Sequence, residues 1–238
     1  MIKKALILAA GLGSRLHHMT EEIPKALIEA NKVPILKRQI DALLRNGIET
    51  INIVCGYKKE KIIEYVNSNY DSKEAEFNFI FNIDYDSTNS AYSFWLAYKE
   101  IELDDFIHLN CDNIFEPKVI HSLQSNENRN LIVARNQKLS DNMEQVHLDL
   151  DSKILKMDNS QFSSATHKAM GVAKISSKLS KFLFNQIDEQ INNGNTNSNF
   201  YGAIREAVNH HDIYCIDLTN EIFEVNTLDE YEIIHRVL

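Results

Sequence analysis

Two of the seven glycines in the chain, Gly11 and Gly13, fall within three residues of each other in Leu8-Ala9-Ala10-Gly11-Leu12-Gly13-Ser14-Arg15. Small residues let a backbone approach a phosphate, and such a turn can aim its N–H groups at the anion. The spacing alone leaves the ligand open. A dinucleotide fingerprint wants a third glycine at position 16, which is Leu16, and a Walker loop wants a Gly-Lys-Ser/Thr ending that is missing. Two cations follow the loop: Arg15 directly, and Lys25 in Pro24-Lys25-Ala26-Leu27. Farther along, Asp112 ends an apolar run in Asn110-Cys111-Asp112-Asn113. A carboxylate there can hold Mg²⁺ against phosphate oxygens, although an aspartate in a turn is the plainer reading. Thr227 and Glu230 have the form of a capping box before a closing helix.

The elements that must position these residues alternate. Ala5–Ala10 reads as a strand, Ile35–Asn46 as an amphipathic helix stopped by Gly47, Thr50–Cys55 as a strand and Lys59–Asn67 as a helix. Phe77–Phe81, Ser90–Glu100 and Phe106–Cys111 continue as strand, helix and strand. This order predicts a parallel sheet with helical crossovers, which binds ligands at the carboxyl ends of its strands. After about residue 128 the pattern changes. Leu131–Arg135, Gln145–Leu150 and Ile154–Met157, with an Asp151-Ser152 turn, predict short antiparallel strands. Helices are expected at Lys178–Asn192 and Phe200–Asn209, a strand at Ile213–Ile216, a strand or turn at Ile222–Val225 and a last helix at Leu228–Val237.

The net charge of −9 argues against a nucleic-acid surface, which needs a basic stripe. The apolar stretch Ala5–Ala10 is far too short to span a bilayer. Lys3 and Lys4 precede it as in a signal peptide, but Gly11, Gly13 and Arg15 interrupt it, so a cytoplasmic protein without a membrane partner is expected. Cys55, Cys111 and Cys215 form no CxxC pair and read as small buried hydrophobes. His17-His18 and His210-His211 lack zinc-site spacing.

Leu8 to Leu16 followed by Thr20 and Pro24-Lys25-Ala26-Leu27 resembles the superfamily of sugar-phosphate and phospho-alcohol nucleotidylyltransferases. One departure is His17-His18, where members often carry a proline before the threonine. The resemblance implies that the backbone from Leu8 through Ser14 holds a nucleoside triphosphate, with Gly56 and Tyr57 bordering the base. It assigns Arg15 to the leaving β- and γ-phosphates and Lys25 to the α-phosphorus and the acceptor phosphate. Asp112 becomes an Mg²⁺ ligand, although Asn110 stands where many relatives carry a second acid. Phe223-Glu224-Val225-Asn226-Thr227 is similar to the closing motif of that superfamily and makes Asn226 the second metal ligand.

Asn82 to Trp95 looks like bacterial phosphocholine cytidylyltransferases, which implies that Asn89 and Ser93 lie in the nucleotide site. Tyr92, Phe200 and Tyr201 are then acceptor-binding candidates, because aromatic faces stabilise quaternary ammonium groups. Tyr92 and Trp95, spaced i,i+3, can equally be core residues of one helix face, the better reading for Trp95. Gly202 stands where phosphocholine enzymes tend to carry an acidic residue.

The expectation is therefore one Rossmann-like α/β domain over residues 1–238, mostly parallel, with a small antiparallel extension over the acceptor side. The implied reaction joins CMP from CTP to a small phosphorylated alcohol, amine, amino-acid derivative or phosphonate, releases pyrophosphate, uses Mg²⁺ and serves cell-surface polysaccharide synthesis. A phosphate monoester, with a second pKa of about 6, attacks as a dianion and needs no general base. The rivals are a sugar-1-phosphate nucleotidylyltransferase using UTP, GTP or dTTP, and a non-catalytic homologue that senses a nucleotide sugar. A homodimer is left open.

Overall fold

The computed structural model describes residues 1–101 and 104–237, with side chains as far as Ile234. Its first half alternates as expected: β1 (Lys4–Ala9), α1 (Ile35–Arg45), β2 (Thr50–Cys55), α2 (Lys59–Asn69), β3 (Glu76–Phe81), α3 (Ser90–Glu100) and β4 (Phe106–Asn110). Then come α4 (Pro117–Ser125), β5 (Leu131–Arg135), β6 (Gln145–Leu148), β7 (Ile154–Asp158) and β8 (His167–Ile175). The chain closes with α5 (Ser177–Asn192), α6 (Phe200–Ala207), β9 (Tyr214–Asp217) and α7 (Leu228–Val237).

Strands β4, β1, β2 and β3 lie side by side and parallel. Both faces of such a sheet are covered, so its strands are apolar throughout rather than alternating. In β1, Leu6 and Leu8 enter the core on one face, while Ala5, Ile7 and Ala9 enter the core on the other. Helix α3 covers the first face with Phe94 and Ala97, joined by α5 and α6. Helix α1 covers the second with Leu36, Ile40 and Leu43, joined by α2 and α4. Because β2 and β3 lie on one side of β1 and β4 on the other, the turns leaving β1 and β4 diverge and open a crevice at the carboxyl edge.

The antiparallel extension is built on β8, which sequence periodicity does not reveal. His167, Lys168, Gly171 and Lys174 break its apolar run. One edge of β8 pairs antiparallel with β6 at its start and with β4 at its end, while the other edge pairs with β5. Strands β6 and β7 form the expected hairpin, turned at Ser152 in the left-handed region. Helix α4 is likewise absent from the sequence reading; it starts at Pro117, where a fixed φ and a missing N–H cost nothing. The mixed sheet, parallel in its centre and antiparallel at one side, agrees with the fold expected from the sequence. Among the described residues no helix is long and apolar enough to cross a membrane.

Candidate active site

The Gly loop leaves β1 at the crevice. Gly13 has φ 68°, and a Cβ added to it would lie 2.9 Å from Thr20 Cγ2 and 3.1 Å from Lys25 Cβ. Its missing side chain is what lets the Lys25 stem pack against the loop. Gly11 has nothing within 4 Å of a Cβ and faces open space. Tyr57 ties the loop exit down, donating its hydroxyl to the Thr20 carbonyl at 2.8 Å, while its amide donates to the Ala10 carbonyl at 3.0 Å. Gly56 is required by close approach: a Cβ would meet the Ala10 oxygen and Tyr85 Cβ at 2.7 Å each.

Asp112 sits in the turn after β4, and buried Gln39 of α1 clamps that turn. Its Nε2 donates to the carbonyls of Asn110 and Asn113, both at 2.8 Å. The short strands Asn113–Phe115 and Ile222–Glu224 pair antiparallel, with Glu224 opposite Asn113. This pairing carries Asn226 to Asp112, and Val225 N donates to the Asp112 carbonyl at 2.9 Å. The capping box forms as expected between Thr227 and Glu230, and Glu230 also accepts from Asn226 N at 2.8 Å.

Four of the sequence candidates converge here. Lys25 Nζ donates to Asp112 Oδ2 at 2.8 Å and to Asn226 Oδ1 at 3.0 Å, and Arg15 Nη2 donates to the same Asn226 Oδ1 at 3.0 Å. Lys25 and Asp112 keep only 11% and 17% of their side-chain exposure, so the pair is largely withdrawn from water, where ionic attraction is strongest. The cluster stands where two clefts meet, of about 330 and about 360 Å³; Arg15, Ser90, Asn110, Asp112 and Asn226 line both.

The first cleft is lined by Leu8, Ala10, Gly11, Gly13 and Ser14 from the loop, with Asn89 and Ser93 from the start of α3. Ser93 is held by Asn82, whose Nδ2 donates to its hydroxyl at 3.1 Å, and Asn89 caps α3 through Ser90 N at 2.8 Å. Ala9, Leu12, Gly56 and Tyr57 do not line it. Ala9 points into the core on the α1 side, Leu12 is exposed, and Gly56 and Tyr57 support the loop from outside. Asn82, Tyr85 and Thr88 also line this cleft. They lie within or beside a stretch whose resemblance is legible, but nothing local marks them as inward-facing.

The second cleft is lined by Lys168, Glu224 and Glu144. Lys168 pairs with Glu224, and Glu144 pairs at 3.3 Å with Arg205, which does not itself line the cleft. Burial raises the carboxyl of Glu144 above its usual range, opposed by Arg205. Burial likewise raises the carboxyl of Glu224, opposed by the Lys168 ammonium. Of the aromatic candidates only Tyr201 lines this cleft, and its hydroxyl is already donated to the Met170 carbonyl. Phe200 is 1% exposed and packs on Phe94 and His108, with centroids 4.8 and 4.5 Å away. Tyr92 lies outside both clefts, stacked on Trp95 at 5.3 Å. Trp95 packs against the core as the helix-face reading has it, and its indole N–H donates to Asp188 at 2.8 Å. Lys168 and Glu144 escape sequence reasoning because each is held at the cleft by a partner distant in sequence, Glu224 and Arg205.

No thiol here is poised as a nucleophile. Cys111 lines the first cleft, but burial and then the neighbouring Asp112 push it up to about 12; burial holds Cys55 and Cys215 at about 12 too. All three are free; Cys55 and Cys215 are buried as the sequence reading has them, whereas Cys111 is half-buried at the cleft.

A cleft of about 330 Å³ at a strand-switch crevice, with a Gly loop, two cations and two side-chain oxygens converging on it, is the arrangement of a nucleotide-handling α/β protein. The chain belongs to the MobA-like NTP transferase domain family, whose model matches residues 5–161. It is 39% identical over 113 residues to the choline-phosphate cytidylyltransferase of Streptococcus pneumoniae, a match covering 45% of this chain and 47% of that protein. The chain spans about half the length, or less, of the curated relatives it matches first. In fold it is similar to the CTP:phosphocholine cytidylyltransferase of the same species (TM-score 0.82, 24% identity, covering 100% of this chain and 99% of that one). It is equally similar to a UDP-glucose pyrophosphorylase complexed with UDP-glucose (TM-score 0.83, 17% identity, covering 100% and 98%).

Proposed function

We propose that the chain is a cytidylyltransferase that joins CMP from CTP to a small phosphorylated acceptor and releases pyrophosphate. Residues 1–238 act as one nucleotidyltransferase domain in this proposal. The observation that carries it is the meeting of Arg15, Lys25, Asp112 and Asn226 at the junction of two clefts. One cleft is floored by the Gly loop and suits a triphosphate; the other, lined by paired charges, suits an acceptor. The in-line attack of an acceptor phosphate oxygen on the α-phosphorus needs alignment and charge neutralisation more than proton transfer. Arg15 binds the departing phosphates, and Lys25 stays with the transferring group. The family's name for its domain and the likeness to choline-phosphate cytidylyltransferase support this reading.

The donor set fits a divalent cation. The Lys25 ammonium sits between Asp112 Oδ2 and Asn226 Oδ1 at 2.8 and 3.0 Å, so these oxygens already converge on a positive charge. Among the described residues no cluster of three His, Cys, Asp or Glu could hold a metal by itself. Two oxygen ligands suit Mg²⁺, which keeps several waters and takes phosphate oxygens as partners. Bound there, Mg²⁺ would supply charge neutralisation at the α-phosphate.

The acceptor proposed is a small phosphorylated alcohol, amine, amino-acid derivative or phosphonate. Glu224 and Glu144 are each compensated by a cation, so neither offers an unpaired carboxylate to a quaternary ammonium group. The likeness to UDP-glucose pyrophosphorylase keeps a sugar-1-phosphate enzyme as the second reading. Pyrophosphate release decides between them, with CTP and phosphocholine, phosphoethanolamine, aminoethylphosphonate, glycerol phosphate or phosphorylated amino-acid amides set against UTP, GTP or dTTP with hexose 1-phosphates. A CTP pair is expected to have the highest kcat/KM. A hexose 1-phosphate pair above all CTP pairs would overturn the proposal, and no release from any pair would favour a nucleotide-sugar sensor.

A further inference from the structure

Asn226 stands between charges of opposite sign. Its Oδ1 accepts from Arg15 and Lys25, both at 3.0 Å, and its Nδ2 donates to Glu224 Oε2 at 2.9 Å. Lysine and arginine can only donate and an ionised carboxylate can only accept, so the amide has a single permitted orientation. Flipped, it would aim its NH₂ at two cations and its oxygen at an anion. The same Glu224 oxygen is in contact with the Lys168 ammonium, and the two side chains keep 11% and 12% exposure. Lys168 comes from β8, 58 residues before Asn226 in sequence. A buried carboxylate is tolerated where a counter-charge compensates it.

We propose that Lys168 and Glu224 are a positioning pair that holds the Asn226 amide with its oxygen towards Asp112, Lys25 and Arg15, ready to serve as a cation ligand. The proposal rests on the metal-assisted reading above. Partners that orient a ligand commonly change metal affinity or activity by about 10–100-fold when removed. Without Lys168, the Glu224 carboxylate loses its counter-charge. It then turns to the nearest remaining cation, Lys25 or an incoming divalent ion, and releases the amide. Lys168→Arg keeps a cation in place and preserves the arrangement; Lys168→Met does not.

Two measurements on the full chain test this, beside the pyrophosphate-release assay that gives the acceptor KM. The first is the NMR signal pair of the Asn226 side-chain amide without added ligand, assigned by its loss in Asn226→Asp. The second is Mn²⁺ affinity by water-proton relaxation. Lys168→Met is expected to shift the amide signals and weaken Mn²⁺ binding about tenfold, with Lys168→Arg close to the wild type. The isosteric Glu224→Gln, which removes the charge without emptying the site, is expected to shift the same signals and serves where Lys168→Met does not fold. Unchanged amide signals in both variants would overturn the proposal. So would a raised acceptor KM with unchanged Mn²⁺ affinity, because Lys168 would then be an acceptor contact. If the wild type fails to bind Mn²⁺ while the amide signals still depend on Lys168, the metal reading falls and the positioning of Asn226 stands.

Discussion

At the scale of single residues, the proposed reaction gives Asp112, Lys25 and Arg15 separable duties. Asp112 is a proposed metal ligand and the buried partner of Lys25. Asp112→Ala is expected to abolish pyrophosphate release, and EDTA should do the same to the wild type; turnover in either case would remove Asp112 from the chemistry. Lys25 Nζ lies at the meeting of the clefts, so Lys25→Ala should lower kcat while leaving CTP affinity nearly intact, a loss confined to the transition state. Arg15→Ala should weaken CTP binding by about 1.5–3 kcal/mol, the worth of a charge-assisted contact. Calorimetric titration of both variants distinguishes them, and the assignment fails if Lys25→Ala loses affinity and keeps kcat.

At the scale of elements, β4 and β8 set the geometry of the site, and each carries a testable constraint. Gly171 of β8 packs against the Asp112 turn: a Cβ there would lie 2.5 Å from the Nδ2 atoms of both Asn110 and Asn113. Overpacking of this kind costs about 1–3 kcal/mol. Gly171→Ala should lower the unfolding free energy by that amount, read as a lower urea midpoint at unchanged m, and slow turnover, since Asn113 Nδ2 also donates to Asp112 Oδ1 at 2.9 Å. Wild-type stability in Gly171→Ala would mean that the turn yields easily. His108 of β4 is fully buried beside Phe200, and burial lowers its pKa to about 3. A denatured histidine titrates near 6.5, so below that pH the unfolded chain takes up a proton that the native state excludes. The stabilising contribution is therefore complete above about pH 6.5 and is lost as pH falls towards 3, at up to about 1.4 kcal/mol per unit. Between pH 7 and 5 the wild type should lose roughly 2 kcal/mol more than His108→Phe. Equal losses in urea unfolding at the two pH values would refute this.

At the scale of the whole molecule, the cleft proposed for the nucleotide joins the loop of β1, the turn of β4, the start of α3 and Asn226 before α7. A ligand that bridges such distant segments binds the native state and not the unfolded chain. At one hundred times its Kd it should add about 2.7 kcal/mol, or about 5–10 °C in Tm for a chain of this size. CTP with Mg²⁺ is expected to give the largest shift among the four common triphosphates in a thermal melt. A larger shift with UTP, GTP or dTTP would count against the cytidylyl assignment.

What the sequence alone determined is what short-range order carries. The continuous apolar runs of β1, β2 and β4 and the amphipathic helices between the strands specified the parallel core, because a strand covered on both faces and a helix covered on one each show it in their own residues. Gly11, Gly13, Arg15 and Lys25 were legible because a single turn and its exit hold them within fifteen residues. Asp112 and Asn226 were legible through the resemblance of their motifs. Only the tertiary structure decided the rest. Strand β8 stayed hidden because its polar residues, Lys168 and Lys174 among them, are satisfied by partners from other elements. The same reason hides the pairing of Lys168 with Glu224, the clamp of Gln39 on the Asp112 turn, and the turning of Phe200 into the core while its neighbour Tyr201 faces the second cleft. Charge compensation and side-chain direction in a folded chain depend on which strands become neighbours, and residues far apart in sequence meet only after that choice is made.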